Sequence, residues 1–264
     1  MKFEIIDFHT HPFLVNDNNI CAHKSLLNMN GDTILKLMDM LNISKFCGSA
    51  ISCAHKKEYF DGDNEWVRVS TQNQLALELQ KYYKGRYIPG FHIHPDYVEE
   101  SIKEIDKMKE LGVNLIGELV PYIHNYSIQN NTNLDEILDY ASKKDMLVSF
   151  HTMDETSTDE LIKKHKDLKI VLAHPGEYDG IKKHIERMKM SDNCYLDISG
   201  TGILRYGMLS RLVNEVGADR ILFGSDYPTC NPIPYLYAVT EDIYLTDSEK
   251  ALILGKNAKR LLKI

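Results

Sequence analysis

At 264 residues the chain is long enough to bury a large core and has the length of one α/β barrel. A composition of 43% hydrophobic and 26% charged residues excludes a disordered, collagen-like or disulfide-scaffold chain. With 31 basic against 38 acidic residues the formal charge is −7. No basic excess is present to neutralise a nucleic-acid backbone, so no nucleic-acid partner is expected.

The first stretch, Met1 to Asp7, carries acids within a short apolar run and has no signal-peptide pattern. Apolar runs fall short of the ~18 residues that suggest a membrane span, so no membrane partner is expected either. Five scattered cysteines (Cys21, Cys47, Cys53, Cys194, Cys230) include no CxxC. They read as reduced thiols of a cytoplasmic protein.

Taken in chain order, eight short apolar runs read as strands buried on both faces: Phe3–Phe8, Phe46–Ile51, Tyr87–Phe91, Val113–Glu118, Met146–His151, Lys169–His174, Cys194–Ser199 and Arg220–Ser225. Helical patterns lie between them. Asp32–Leu41 repeats apolar residues at Ile34, Leu37, Met38 and Leu41, and Ser70–Tyr83 fills the gap before the third strand. Val98–Leu111 stops at Gly112, and Asp135–Lys144, Asp159–His165, Ile181–Met190, Leu204–Val216 and Ser248–Leu262 continue the alternation. The pattern predicts an α/β fold, a (β/α)8 TIM barrel, as a single domain over 1–264. Two insertions, near 12–31 and 52–70, follow strands and so lie over the barrel mouth. The second holds Lys56, Lys57, Tyr59, Phe60 and Trp66, which read as lid or substrate-pocket residues.

The strand ends carry the chemistry. The first ends in Asp7-Phe8-His9-Thr10-His11, the fourth in Glu118, the fifth in His151, the sixth in His174 and the eighth in Gly224-Ser225-Asp226-Tyr227-Pro228. Residues i and i+2 of a strand share a face, so His9 and His11 can converge on one point. In a parallel barrel all these ends meet at one mouth. Six imidazoles and carboxylates gathered there need a cation or several donors, because burying them unpaired costs several kcal/mol. Lys and Arg are absent from the strand ends around Glu118.

That ordered set resembles the amidohydrolase superfamily of metal-dependent barrel enzymes, in particular its amidohydrolase 2 branch. The resemblance runs from Ile5 to the C-terminal helix. It implies that His9, His11, His151 and Asp226 bind one divalent metal, expected to be zinc, and that His174 is the acid/base beside the activated water, with Asp226 as ligand or water-orienting carboxylate. Glu118 departs from many single-metal relatives. Related binuclear branches, such as the TatD-like deoxyribonucleases, use a Glu there to bridge two metals. In that arrangement His9, His11, Glu118 and Asp226 hold the first metal, and Glu118, His151 and His174 the second. The expectation is one obligatory metal with room for a second.

The implied activity is hydrolysis of a small-molecule substrate. A non-oxidative decarboxylase or hydratase on the same site is the alternative, and a catalytically silent ligand-binding barrel is a third reading. Whether the chain forms a homo-oligomer stays open.

Other polar residues carry weaker expectations. His92 and His94 form a second HxH before Pro95; they contact substrate or simply close the strand. His124, His23 and His55 stand in loops where they could touch substrate. His165 and His184 fall on helices and are expected to be solvated. Arg205 beside Tyr206 is placed either to clamp a substrate anion or to start a helix at the surface. Asp197 is placed to orient a ligand from behind.

Overall fold

A computed structural model describes residues 3–14, 29–51, 64–152 and 155–264. Eight strands form one parallel sheet in sequential order: β1 (Ile5–Asp7), β2 (Ile43–Ser49), β3 (Tyr87–Phe91), β4 (Leu115–Leu119), β5 (Leu147–His151), β6 (Lys169–Ala173), β7 (Cys194–Asp197) and β8 (Ile221–Leu222). β1 and β8 share no ladder of their own, yet the chain closes just beyond them. Phe8 N donates to Phe223 O (2.9 Å), Asp226 N to His9 O (2.8 Å) and His11 N to Tyr227 O (2.7 Å). Thr10 bridges Tyr227 in parallel. The fold is a TIM barrel, as the alternation predicts.

The outer ring comprises α1 (Gly31–Met40), α2 (Glu65–Tyr82), α3 (Val98–Glu110), α4 (Thr132–Lys143), α5 (Glu155–Lys164), α6 (Tyr178–Met190), α7 (Met208–Val216), α8 (Pro232–Thr240), α9 (Asp247–Ala251) and α10 (Asn257–Leu262). Capping sets several starts. Asn30 caps α1 in a reciprocal box with Thr33, and Asn64 accepts from Trp66 N at the start of α2. The stretch 65–70 therefore belongs to α2 and not to an insertion, and Trp66 packs its ring against Tyr97 at 6.1 Å. Lys56, Lys57, Tyr59, Phe60, His23 and His55 lie outside the described residues.

α7 begins at Met208, four residues later than its pattern suggests, because Gly207 turns the chain at φ 79°. α8 has no counterpart in the sequence reading. Its apolar residues do not segregate to one face, but Asn231 caps it and Pro232 occupies the first turn, where a missing N–H costs nothing.

Two apolar layers hold the barrel. Outward-facing residues such as Ile116, Val148, Leu172 and Phe223 pack under the helices. Ile6, Cys47, Leu115, Leu147, Val171, Tyr195 and Leu222 form a separate cluster with Ala258, Leu261 and Leu262 of α10. These strand residues alternate with the outward ones, so they fill the interior, and α10 plugs its base. The polar strand ends are left at the other end.

Candidate metal centre

The six predicted side chains meet at the mouth. His9 Nε2 lies 3.3 Å from His11 Nε2 and 3.3 Å from Glu118 Oε2. Asp226 Oδ1 is 3.4 Å from His11 Nε2 and 3.8 Å from His9 Nε2. On the other side, Glu118 Oε1 is 2.9 Å from His151 Nδ1 and 3.3 Å from His174 Nε2, and these two ring nitrogens are 3.1 Å apart. Glu118 is buried and directs one oxygen to each pair of histidines.

The local backbone makes this possible at two positions where simple alternation would fail. Leu115 faces the interior and Ile116 the helices, so strict alternation would turn Glu118 outward. The β4–β5 register shifts between Ile116 and Leu119, three steps on β4 matching two on β5. This bulge brings Glu118 to the interior and puts Leu119 on the helix side. Gly117 is required there: at φ 96° a Cβ would sit 2.4 Å from both Leu119 N and Ser149 O. Likewise His174 follows the outward Leu172 at i+2, and its left-handed φ of 68° swings it into the mouth. Asp226 also has a left-handed backbone, φ 61°.

The donor inventory tests whether these residues fit a cation. His11 Nδ1 is 3.0 Å from the carbonyl of Ser49, which can only accept, so Nδ1 carries the proton and Nε2 a bare lone pair. His9 Nδ1 donates to Asp197 Oδ2 at 2.9 Å, leaving its Nε2 bare as well. Ser199 Oγ donates to Asp197 Oδ1 in a short bond and accepts from His174 Nδ1 at 3.1 Å, which bares His174 Nε2. Bare nitrogens and carboxylate oxygens thus face one another at 3.3–3.8 Å. Acceptors alone repel, and a divalent cation satisfies them. The residues fit the group.

Without it, protons must fill the gap. Burial opposes charge on His9, but the Glu118 and Asp197 carboxylates outweigh it and hold His9 well above the ordinary imidazole value. His11, again against burial, is pushed up to about 9 by hydrogen bonds to Asp226 and Glu118. His174 is raised too, burial opposing and Glu118 prevailing. Glu118 is desolvated, yet the surrounding imidazoles hold it well below the usual carboxylate range.

Asp197 orients His9, as its place on β7 suggests. Ser199 was not foreseen. It stands two residues after Asp197, on the same side of the chain, and joins Asp197, His9 and His174 in one network. Asp7 is a further buried carboxylate; it receives Ser225 Oγ at 2.6 Å and Ser225 N at 3.0 Å, fixing β8 against β1.

Two other expectations, that His165 and His184 are solvated, need correction. His165 is buried, because Asp135 and Asp139 on α4 take its two ring nitrogens at 2.9 and 3.0 Å. His184 is buried as well, on the face of α6 that turns inward. His92 and His94 are both buried: His92 Nε2 reaches Ala50 O at 3.4 Å and His94 Nε2 reaches His124 O at 2.8 Å. His124 is buried against Gln72 Oε1 at 2.7 Å. None of the three is among the residues lining the mouth cavity described next. Arg205 is exposed and paired with Glu177 at 2.7 Å.

A cavity of about 260 Å³ opens over the centre, lined by Glu118, His151, His174 and Asp226 with Ile51 and Tyr122. The fold and this mouth, with its ring of imidazoles and carboxylates, define a metal-dependent barrel enzyme of the amidohydrolase class. The sequence profile of the amidohydrolase family matches residues 6–264, and the chain belongs to that family. It is 28% identical over 273 residues to an uncharacterized metal-dependent hydrolase of Buchnera aphidicola subsp. Baizongia pistaciae (strain Bp), covering 96% of this chain and 89% of that protein. The fold is similar to 2,6-dihydroxybenzoate decarboxylase from Rhizobium, with a TM-score of 0.73 at 16% identity over 99% of each chain. It is also similar to a dihydroxybenzoic acid decarboxylase from Polaromonas sp. JS666 with bound manganese and an inhibitor, TM-score 0.69 at 16% identity, covering 99% and 97%.

Proposed function

We propose that the chain, read as one barrel domain, is a metal-dependent hydrolase of a small organic substrate, with two cation positions joined by Glu118. The observation that carries this reading is the split of that carboxylate, Oε2 toward His9 and His11 and Oε1 toward His151 and His174. His9, His11, Glu118 and Asp226 would hold the first cation; Glu118, His151 and His174 the second. Zinc suits the imidazole-rich set, and manganese is the metal of one structural neighbour. When bound, such an ion polarises a carbonyl or phosphoryl oxygen and acidifies water toward neutral pH.

The protein's own groups handle the protons. Asp226 and His174 both line the cavity. With only the first position filled, the bare His174 Nε2 would take the proton of the attacking water and pass it to the leaving group while Ser199 holds its Nδ1–H. With both filled, Nε2 would be held as a ligand, and Asp226 would take the proton of the attacking water and deliver it to the leaving group. Asp197 and Ser199 keep the imidazoles in these tautomers. The free cysteines Cys47, Cys194 and Cys230 suit a reducing compartment, the cytoplasm.

The likeness in fold to decarboxylases supports a second reading, non-oxidative decarboxylation at the same residues. Metal analysis with a product screen tests the proposal. Metal-free protein given zinc or manganese should bind about two ions, Glu118→Gln about one, and turnover should release acid and alcohol or amine without carbon dioxide. Saturation at one ion with Glu118 intact overturns the two-position reading; carbon dioxide as product overturns hydrolysis.

A further inference from the structure

α8 is apolar on every side. Its nine residues carry no charge, and a helix of that kind is ordinarily covered on both faces. Tyr235, Leu236 and Val239 are indeed buried, but Ile233 and Tyr237, one turn apart on the other face, are 38% and 58% exposed. The surface beside them continues the pattern. A groove of about 260 Å³ runs from Tyr237 to Leu204 and Tyr206, ahead of α7, and to Ile243 and Tyr244, after α8. Tyr206 is 85% exposed, Ile243 79%, Tyr244 61% and Leu204 53%. At about 200 Å² for each large side chain, the exposed fractions of these six come to roughly 750 Å². That exceeds the ~300–600 Å² of the largest apolar patch on an ordinary monomer. It is close to the ~800 Å² that each partner contributes to a stable pair, before any polar rim is counted.

Shape and charge name the occupant. Tyr206 and Tyr244 meet edge to face, their ring centres 6.2 Å and their hydroxyls 3.2 Å apart. The pair stands as a ridge between two grooves: both residues, with Gly207, line the first groove and also a second, of about 690 Å³, along α7. A ridge beside a groove is self-complementary about a two-fold axis, where each copy sets its ridge in the groove of the other. The rim carries both signs, Arg205 and Arg211 against Glu241 and Asp242. A partner of one sign meets like charge at half of these, whereas a second copy brings both signs to face their opposites. Tyrosine and arginine are also among the residues enriched at such contacts.

We propose that this face, with the Tyr206–Tyr244 ridge at its centre, is the contact through which two copies of the chain pair about a two-fold axis. None of the six side chains of the metal centre lines either groove. The pairing therefore stands apart from the hydrolase reading and from its failure.

Sedimentation velocity of the full chain tests it. The wild-type protein should sediment as two chains at micromolar concentration. Tyr206→Glu and Ile243→Lys alter largely exposed positions, which the fold tolerates. Each should weaken pairing about thirtyfold or more, with far-UV circular dichroism and bound metal unchanged. Met40→Glu, at a position 62% exposed on α1 and outside both grooves, should leave pairing intact. A wild-type chain that stays single well above micromolar concentration overturns the pairing and leaves the patch to a different protein. Pairing that survives either substitution in the patch, or that Met40→Glu weakens equally, places the contact elsewhere and overturns the assignment.

Discussion

The two halves of the centre are built differently. His9 and His11 are 2% and 3% exposed, and their outer nitrogens are held by a carboxylate, Asp197, and by a backbone carbonyl, Ser49. The side chains of His151 and His174 are 23% and 17% exposed, and His174 is held by a hydroxyl, Ser199. Ligands locked by charged and backbone acceptors lose less freedom on binding and are more basic. In the proposed two-cation arrangement this difference would make the His9–His11 position the tight one and the His151–His174 position the exchangeable one.

The largest expected effect comes from removing the exchangeable side alone. His174→Asn should keep the first ion and lose roughly 10²–10⁴ in turnover. Metal analysis beside a rate measurement checks this. Complete loss of metal from the variant would show that the halves are not separable and that His174 is an essential ligand.

Next comes the buried support of the tight side. Asp197→Asn weakens the acceptor for His9 Nδ1 and should lower affinity for the first ion about 10–100-fold, measured by competition with a chromophoric chelator. Ser199→Ala touches both halves, because its Oγ contacts His9 and His174 at 3.1 Å each. It should therefore lower both affinities, by less. An effect confined to one ion would break the proposed link between the halves.

How much of this was legible beforehand differs residue by residue. The alternation of apolar runs and helical faces gave the barrel, and the polar residues closing the strands gave the six side chains that converge at its mouth. What sequence pattern could not supply was side-chain direction. By alternation Glu118 and His174 point away from the mouth; a bulge on β4 and a left-handed residue after β6 turn them in. Gly117 beside Glu118 was the available sign of the first; the second left none. His165 and His184 were misjudged for a related reason. A polar residue on a helix reads as solvated unless what packs against it is known; the partners of His165, Asp135 and Asp139, lie on α4, and His184 is covered on the inward face of α6. α8 was missed because its apolar residues show no clear face.

Protons sharpen the comparison further. His11 sits at about 9 and His9 well above its ordinary value in the cation-free protein, so a cation entering the tight side must displace protons over the neutral range. Affinity for the first ion should rise by up to about tenfold per pH unit for each proton displaced, as zinc competition at pH 6, 7 and 8 would show. An affinity flat across that range breaks the assignment. The stability of the cation-free protein follows the same groups. A raised imidazole contributes stability that is complete below its unfolded value of 6.5 and is lost as pH climbs through about 9. His92 and His184 act oppositely. Burial holds them neutral down to about 4 and about 3, so they cost stability as pH falls below 6.5. Urea melts should therefore show metal-free protein weakening on both flanks, and loaded protein weakening less on the alkaline one.

The smallest effect is expected at a histidine that belongs to neither half. His165 is as buried as His9, and like it binds carboxylates through its ring nitrogens, here Asp135 at 2.9 Å and Asp139 at 3.0 Å. Its partners make the difference. Both carboxylates lie on α4, Asp135 also pairs with Lys164 at 2.5 Å, and Asp139 is largely exposed. The acceptors are satisfied by the ring itself and by solvent, so no surplus of lone pairs calls for a cation. His165→Leu removes one or two charge-assisted bonds and leaves Asp135 its lysine, which should cost about 1–3 kcal/mol of stability. Denaturant melts should register that loss, while metal content and turnover stay at wild-type levels. A fall in bound metal with unchanged stability would mean that burial beside carboxylates, and not the convergence of bare lone pairs, marks the functional histidines of this barrel.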